Sequence, residues 1–276
     1  GNKKFINIKC KTYFIIIILA FCQVWGGKTE TVEIFSHTMN KNIPAIIVTP
    51  DSYGYENDSI PVILLLHGYG GDYKNWSSKT ELRHRADEYN FIYFCPDGSR
   101  NSWYVDSPLD STSQYETFFI KELIPWINKN FRSSQLGITG LSMGGHGALY
   151  LAIRHPKSFD AVSSMSGGVD LTFSTVKWEI TKILGSFESF PNRWHLYSIV
   201  NMVETISEGF IPVLIDCGYD DFFIDINRTL HYRMVEKNIS HNYVEKPGGH
   251  SWNYWVNALD EHLRFFENAF KGITKN

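Results

Sequence analysis

The sequence predicts an α/β domain in which a mostly parallel sheet carries helices on both faces. Short runs of Val, Ile, Leu and Phe alternate along the chain with longer stretches of helical spacing, a pattern typical of strand–helix–strand units. The runs are apolar at nearly every position, as expected for parallel strands that are buried on both sides. These predicted strands cover residues 62–66, 91–95, 135–139, 161–164, 213–217 and 243–245.

An antiparallel hairpin is predicted ahead of the parallel strands. Residues 31–37 and 43–48 have strand-like alternation, and they are separated by the turn-forming segment 39–42, Met-Asn-Lys-Asn. We therefore expect the sheet to begin with antiparallel edge strands.

Five helices are predicted between and after the strands. Pro125 should make the second of them irregular, because proline cannot donate a backbone hydrogen bond inside a helix. The predicted helices cover residues 78–89, 114–131, 144–154, 225–237 and 251–271.

One long segment, residues 167–210, interrupts the alternation of strands and helices. It carries Trp178, Phe187, Phe190 and Trp194, and we interpret it as a small inserted cap. Its aromatic side chains either seal the sheet or contact a ligand, since the walls of binding pockets are also rich in aromatic residues.

The length and composition predict a single domain, residues 27–276. A chain of 276 residues with 43% hydrophobic side chains can bury one continuous core. The formal net charge is −3, and the lysines and arginines are scattered rather than clustered. This distribution argues against a nucleic-acid partner, while the oligomeric state stays undetermined.

Residues 1–26 are predicted to be a signal peptide. Four lysines precede an apolar run at residues 13–22, and Val24 and Gly26 are small enough to suit a signal peptidase. The apolar run is too short to span a bilayer comfortably. We therefore expect cleavage near Gly26 or Gly27, export of the remaining chain and no stable membrane span.

The cysteines leave two alternatives open. Cys22 could be a lipid attachment site, although the bulky Phe21 before it is unusual in lipoprotein signals. Cys95 and Cys217 lie in predicted buried strands and are expected to be free core thiols, with a disulfide as the alternative that export would permit. No spacing of Cys and His resembles a metal site.

A nucleophile is predicted at Ser142 within Gly140-Leu141-Ser142-Met143-Gly144. This G-x-S-x-G segment follows a predicted strand and opens a helix rich in small residues, which is the context of a nucleophile elbow. The flanking glycines are needed because side chains there would close the tight turn. The turn lifts the serine hydroxyl above the sheet edge.

A serine hydroxyl is a weak nucleophile, so Ser142 needs a histidine to accept its proton. Of ten histidines, only His250 lies in a glycine-rich loop, residues 246–252, between the last predicted strand and the C-terminal helix. His250 is therefore the predicted base, and capping of the helix that follows is the structural alternative.

The acid that orients this histidine is expected after the strand at 213–217. Asp216 should point into or along the sheet, and Asp225 should stabilise the N-terminus of a helix. Asp221 is favoured among the remaining carboxylates, with Asp220 as an open competitor.

Two backbone N–H groups are predicted to stabilise a developing oxyanion. Met143 begins the helix after the nucleophile, and Tyr69 lies in the glycine-rich loop 67–71, which could alternatively be an ordinary turn. His67 belongs to this loop, and His146 belongs to the helix that follows the elbow.

The chain resembles a known family, the esterase D and tributyrin-esterase-like serine esterases, which include feruloyl and acetylxylan esterases and are related to mycolyltransferases. The resemblance extends over most of the predicted mature chain. It rests on L-L-L-H-G-Y-G-G at 64–71 with Trp76, Asn101-Ser102-Trp103-Tyr104, Tyr115-Glu116 and Glu122-Leu123-Ile124-Pro125, G-L-S-M-G-G at 140–145, the turn Gly218 to Asp221, and G-H-S-W-N-Y-W at 249–255.

This resemblance implies an α/β-hydrolase fold and a catalytic triad of Ser142, Asp221 and His250. It also implies oxyanion donors at Tyr69 and Met143, and it places Asp221 ahead of Asp220. No cofactor and no metal are implied.

The expected function is that of an exported serine carboxylesterase that cleaves short-chain or aromatic acyl esters, with Trp103 and Trp252 as residues that could stack on a sugar or phenolic ring. Carbohydrate-borne acetyl or feruloyl esters are the favoured substrates. Alternatives are a general tributyrin-type esterase, an S-formylglutathione hydrolase, acyl transfer to an alcohol, and an inactive hydrolase-fold scaffold that binds carbohydrate.

Overall fold

The computed structural model describes residues 27–54 and 59–272, and its centre is one mixed sheet. The eight strands are β1 (Thr29–Ser36), β2 (Lys41–Val48), β3 (Val62–Leu66), β4 (Ile92–Pro96), β5 (Leu136–Gly140), β6 (Ala161–Met165), β7 (Val213–Gly218) and β8 (Asn242–Lys246). Their order is β1-β2-β4-β3-β5-β6-β7-β8. β2 pairs antiparallel with β1 and β4, and the other pairings are parallel. The predicted α/β fold with an N-terminal antiparallel hairpin is confirmed.

Helices cover both faces of the sheet, as predicted. They are α1 (Asn75–Lys79), α2 (Leu82–Tyr89), α3 (Tyr115–Thr117), α4 (Ile124–Asn130), α5 (Met143–Arg154), α6 (Ile180–Leu184), α7 (Pro191–Tyr197), α8 (Ile199–Met202), α9 (Ile224–Glu236) and α10 (Trp252–Gly272). A π-helical stretch at Phe118–Leu123 and 3₁₀ turns at Pro156–Ser158, Leu171–Phe173 and Val203–Thr205 complete the regular structure.

The two faces of the sheet bury two separate apolar cores. Along β3, Leu64 and Leu66 belong to the core under α4, α5 and α9, whereas Ile63 and Leu65 belong to the core under α2 and α10. Successive strand residues point to opposite faces, so a strand buried on both sides must be apolar throughout. This requirement explains the unbroken apolar runs in the sequence.

The helix predicted over residues 78–89 is confirmed from Leu82 onward, but its start is wrong, because residues 78 and 79 belong to a separate helix, α1. Thr80 ends α1 in an extended conformation, and both its backbone N–H and its hydroxyl donate to the Trp76 carbonyl at 3.1 and 2.7 Å. A threonine side chain that competes for a helical carbonyl disrupts the helix at that point.

The irregularity predicted at Pro125 takes the form of π-helical geometry. The wide turns run from Phe118 to Leu123 and α4 follows directly, with Pro125 in its first turn. Proline has no N–H to bond to the preceding turn, and local widening of a helix is one way to accommodate that loss.

The segment between β6 and β7 folds as short helices separated by loops. Trp194 is fully buried and donates its indole N–H to the Gly185 carbonyl at 2.9 Å, with Phe187 packed edge-on against it. Phe190, by contrast, is exposed. The aromatic residues of this segment therefore divide between packing and surface positions.

Cys95 and Cys217 are buried and unpaired in the described part of the chain, as expected. Burial raises the pKa of both thiols well above its usual range.

Within residues 27–54 and 59–272, none of the helices has the length and apolar character needed to cross a bilayer. The predicted signal peptide and the alternative lipid site at Cys22 lie outside the described residues.

Candidate active site

Ser142 occupies a sharp turn between β5 and α5. Its backbone has φ 54° and ψ −116°, a conformation that costs free energy for a residue with a side chain and that recurs at functional sites. The structure has no room for side chains on either side of it. A Cβ atom at Gly140 would lie 2.5 Å from the Gly144 carbonyl carbon, and one at Gly144 would lie 2.4 Å from the Leu66 carbonyl oxygen.

His250 lies beside this serine, in the loop between β8 and α10. Its Nε2 atom is 2.9 Å from Ser142 Oγ, and its Nδ1 atom is 2.8 and 3.0 Å from the two carboxylate oxygens of Asp221. The structure thus brings together the three residues predicted as nucleophile, base and acid, which are far apart in the sequence.

The hydrogen bonds assign the tautomer of His250. A carboxylate only accepts hydrogen bonds, so Nδ1 carries the proton donated to Asp221 and leaves Nε2 of the neutral ring free to accept the Ser142 hydroxyl. The Asp221 carboxylate is buried and also accepts the Phe223 backbone N–H at 2.8 Å. This extra bond fixes the orientation of the acid.

The other three carboxylates near β7 lie elsewhere. Asp220 is exposed, and Asp225 is in the first turn of α9. Asp216 is buried in β7 and accepts the Tyr254 hydroxyl, which ties the strand to α10. The geometry therefore separates Asp221 from Asp220, which the residue pattern had left as a competitor.

The loop that follows β3 lies directly against the serine. A Cβ atom built at Gly68 would be 3.4 Å from Ser142 Cβ, and Gly68 and Tyr69 line the same cleft as Ser142. On the other side, Met143 is the first residue of α5, where backbone N–H groups have no partner within the helix. Both predicted oxyanion donors thus belong to segments that border the nucleophile.

His67 fixes this loop and takes no part in the chain of bonds around Ser142. It is buried, its Nε2 accepts the Gly98 N–H at 2.8 Å, and its Nδ1 lies 2.9 Å from the Gly68 carbonyl. Desolvation lowers the pKa of His67, so the ring is held neutral. The imidazole links the loop after β3 to the loop after β4.

Tyr69 is also linked to the segment between β6 and β7. Glu179 accepts the Tyr69 hydroxyl at 3.2 Å and Arg100 Nε at 3.1 Å, and it forms an ion pair with Lys182. The Arg100 carbonyl accepts the Gly70 N–H at 2.8 Å. These contacts join the glycine-rich loop to the segment that was expected to be a cap.

The cleft above Ser142 encloses about 180 Å³. Apart from Gly68, Tyr69, Ser142 and His250, its lining residues are Asn75, Leu141, Trp178, Phe222, Trp252 and Trp255. Trp252 therefore lies where a substrate-contacting residue was predicted. Asn75, Phe222 and Trp255 were missed, because no sequence pattern shows which side chains of the loops and of α10 turn toward the cleft.

Trp103 requires a correction, because it is not among the residues that line this cleft. Its side chain is only 2% exposed and packs edge-on against His146, and its indole N–H donates to the Trp178 carbonyl at 3.3 Å. Trp103 and Tyr104 both have positive φ, 52° and 59°, and this bend accompanies the burial of the indole. Trp103 thus supports the wall residue Trp178 from behind.

No group of three or more His, Cys, Asp or Glu side chains suited to a metal ion occurs in the described ranges, 27–54 and 59–272.

Comparison with known proteins identifies the family of this chain. The family described as "Putative esterase" matches residues 36–266, which is most of the chain. The chain belongs to this esterase family. The expected resemblance is confirmed at this level, and the esterase is a carboxylic ester hydrolase.

Three relatives illustrate the range of this similarity. The esterase is 25% identical to an acetyl esterase of Caldicellulosiruptor saccharolyticus over 88% of this chain and 97% of the relative. It is 27% identical to S-formylglutathione hydrolase of Mus musculus over 76% of this chain and 83% of the relative. A solved structure of a ferulic acid esterase matches with a TM-score of 0.77 and 26% identity, covering 89% of this chain and 99% of that one.

Proposed function

We propose that the protein is a serine carboxylesterase that acts through an acyl-enzyme on Ser142. The observation that carries this proposal is the unbroken chain of hydrogen bonds from Ser142 Oγ through His250 to the Asp221 carboxylate. A serine becomes an effective nucleophile when a base in hydrogen-bond contact accepts its proton and a third group orients that base.

In the first half of the reaction, Ser142 Oγ attacks the ester carbonyl carbon while its proton moves to His250 Nε2. The carbonyl oxygen becomes negative and is stabilised by the N–H groups of Met143 and Tyr69, each worth about 3 kcal/mol in such sites. Asp221 stabilises the imidazolium. His250 then donates the proton to the leaving alcohol oxygen as the ester bond breaks.

In the second half, water replaces the alcohol. His250 removes a proton from the water as its oxygen attacks the acyl carbon, and the same proton returns to Ser142 Oγ when the acyl-enzyme bond breaks. The carboxylic acid leaves, and the site regains its starting protonation. No step requires a group beyond the side chains and backbone of this chain.

The proposed substrates are short-chain or aromatic acyl esters carried on carbohydrate, and the proposed location is outside the cytoplasm. The acetyl esterase and ferulic acid esterase relatives support the acyl groups. The small cleft, about 180 Å³ with aromatic walls, fits a short or flat acyl group. The signal-like residues 1–26 support export.

Hydrolysis of S-formylglutathione is the second candidate, because the mouse relative of that name aligns with 76% of the chain. A comparison of kcat/KM for S-formylglutathione, acetylated xylan, methyl ferulate and 4-nitrophenyl butyrate separates the candidates. Much faster turnover of S-formylglutathione than of the other three would contradict the carbohydrate proposal.

The mechanism is tested with Ser142→Ala and a fluorophosphonate probe. We expect the folded wild-type protein to form a covalent adduct on Ser142, and Ser142→Ala to lower kcat by roughly 10⁴-fold or more. Exposed Ser207→Ala is the matched control and should keep full activity. Wild-type protein that is folded yet neither labelled nor active on any ester would support the inactive scaffold instead.

A further inference from the structure

Two exposed phenylalanines and a half-buried tryptophan form an aromatic patch that begins at His250. Phe222 lies against His250 with ring centroids 4.3 Å apart, and Trp178 stacks on Phe222 at 5.9 Å with 15° between the ring planes. Phe173 lies 6.4 Å from Phe222 and 6.2 Å from Trp178, tilted by 29° and 25°. We call these three residues the aromatic platform.

The platform is open to solvent although its members are large and apolar. Phe222 is 48% exposed and Phe173 is 43% exposed. They come from different loops, Phe173 from the segment after β6 and Phe222 from the turn after β7. An exposed apolar patch at the mouth of a cleft is typical of a ligand-contacting surface.

The platform lies on the side where a leaving alcohol must sit. His250 Nε2 has to reach the leaving oxygen to donate a proton, so the alcohol lies next to the imidazole. Two side chains that line the cleft contact that ring, Phe222 and Trp255. Trp255 is only 6% exposed and donates its indole N–H to Ser166 Oγ at 3.1 Å, so the path outward from His250 runs over Phe222.

We propose that Phe222, Trp178 and Phe173 bind the leaving alcohol, and that this alcohol is a sugar ring stacked on the platform. The proposal rests on the serine esterase function and adds the orientation of the substrate. The acyl group then occupies the enclosed part of the cleft between Leu141, Trp252 and Trp255.

The shape of the platform favours a sugar over a lipid alcohol or a thiol peptide. An alkyl chain needs an enclosed groove to leave water, whereas Phe173 and Phe222 are exposed at the surface. A sugar ring has an apolar C–H face for such a surface, and its hydroxyls stay in water at the rim. The three platform side chains carry no charge with which to recognise an ionic peptide, and the neighbouring cation, Lys177, lies over the Trp178 ring with its Nζ 5.8 Å from the ring centroid.

The test compares esters that share an acetyl group and differ in the alcohol. We would measure kcat/KM for three esters, methyl acetate, phenyl acetate and a monoacetylated methyl xyloside. Each ester is tested with the wild-type protein, with Phe173→Ala and with Phe35→Ala. Phe35 is an equally exposed phenylalanine on β1, at the far edge of the sheet. We expect Phe173→Ala to lower the ratio of kcat/KM for the xyloside ester to that for methyl acetate by about three- to tenfold, and Phe35→Ala to leave it unchanged.

Two results of this comparison would overturn the proposal. Equal losses for the xyloside ester and methyl acetate in Phe173→Ala, or no loss for either, would show that Phe173 does not contact the alcohol. A loss confined to phenyl acetate would show that the platform serves aryl alcohols rather than sugars.

A binding measurement separates failure of the platform from failure of the esterase mechanism. Xylotetraose is titrated into the Ser142→Ala protein while tryptophan fluorescence is recorded, with and without the additional Phe173→Ala change. Binding that weakens about three- to tenfold supports the platform whether or not the wild-type protein hydrolyses any ester. Identical binding in the two proteins, or none in either, overturns it.

Discussion

The two sides of Ser142 are held in place by different kinds of contact. On the elbow side, glycine backbones pack against other backbone atoms, and the Ser142 carbonyl accepts the N–H groups of His146 and Gly168 at 3.0 and 3.2 Å. On the opposite side, Tyr69 is held by the exposed side chain of Arg100 and the half-buried side chain of Glu179. The elbow side is therefore rigid and intolerant of change, whereas the Tyr69 side can vary at modest cost.

Among the changes that test this comparison, the largest effect is expected from Asp221→Asn, which breaks the buried end of the chain of hydrogen bonds. The amide would present a donor to His250 Nδ1 and favour the wrong tautomer, so kcat should fall about 10³- to 10⁴-fold. Asp220→Asn alters the exposed neighbour and should keep kcat within about twofold. Steady-state kinetics on one short-chain ester decide between them, and a reversed order would mean that Asp220 is the acid.

The next largest effect is expected on the pH dependence of folding stability. It comes from His146, which lies in α5, the helix after the elbow. Its side chain is buried between the carbonyls of Trp103 and Tyr197, and desolvation lowers its pKa from 6.5 to about 4. Because the unfolded chain binds this proton at a higher pH than the folded protein does, the stability that depends on neutral His146 is present above pH 6.5. It is lost as the pH falls toward 4. The loss at pH 4 should be about 3 kcal/mol.

Urea denaturation between pH 7 and pH 4 measures this dependence. In His146→Gln, the unfolding free energy should fall less between pH 7 and pH 4, by about the amount that protonation of this one histidine contributes. In His84→Gln, which changes an exposed histidine, the fall should be the same as in the wild-type protein. His67 contributes in the same direction, because desolvation lowers its pKa too. An unchanged pH profile in His146→Gln would show that this ring is not the group that titrates.

Gly144→Ala tests the close backbone packing of the elbow, and its expected loss of stability is smaller than that from the protonation of His146. The new methyl group would lie 2.4 Å from the Leu66 carbonyl oxygen, so the turn must shift, at about 1–3 kcal/mol of unfolding free energy. In the described part of the chain, a Cβ atom added at Gly272 would meet no heavy atom within 4 Å. Gly272→Ala should therefore change the unfolding free energy by less than about 0.5 kcal/mol. Thermal denaturation of both variants is the measurement, and equal Tm values would contradict this account of the elbow.

The smallest effect is expected on the side of Tyr69. Glu179→Gln weakens the contacts to Tyr69 and Arg100. Because Arg100 is exposed and Glu179 is only half-buried, we expect kcat/KM to fall only about two- to fivefold. Salt screens such contacts, so 0.5 M NaCl should narrow the difference from the wild-type protein. Exposed Glu188→Gln is the matched control. A loss as large as that of Asp221→Asn would show that the two sides do not differ as described.

The contrast between backbone packing on the elbow side of Ser142 and side-chain contacts on the Tyr69 side also explains which parts of the site the sequence could predict. The elbow and the turn at Asp221 lie where the buried strands β5 and β7 end, and His250 lies in a glycine-rich loop after the partly buried strand β8. These strands and glycines leave local patterns in the sequence. Asp220 and Asp221 could not be separated by spacing alone, because the direction of each side chain depends on the loop backbone. The hydrogen bond from Phe223 N–H to Asp221 fixes that direction.

The walls of the cleft were harder to predict, because their residues meet only in the folded protein. Trp103 was expected to contact substrate, but its bend with positive φ turns the indole inward behind Trp178. Phe222 directly follows Asp221, the proposed acid. Its exposure could not be inferred from the sequence, because it belongs to an apolar pair, Phe222 and Phe223, of which only Phe223 is buried. The division of the helix at Thr80 was missed for a similar reason, since it depends on a side-chain bond to Trp76.

The position of His250 just beyond β8 has a consequence for how the enzyme fails. Among the described strands, β8 is the last in the sheet order and pairs with β7 alone, and none of its residues is fully buried. Sheet margins with little buried surface open at lower free energy than the centre. Warming should therefore abolish turnover while most of the circular-dichroism signal persists, and cooling from that point should restore it.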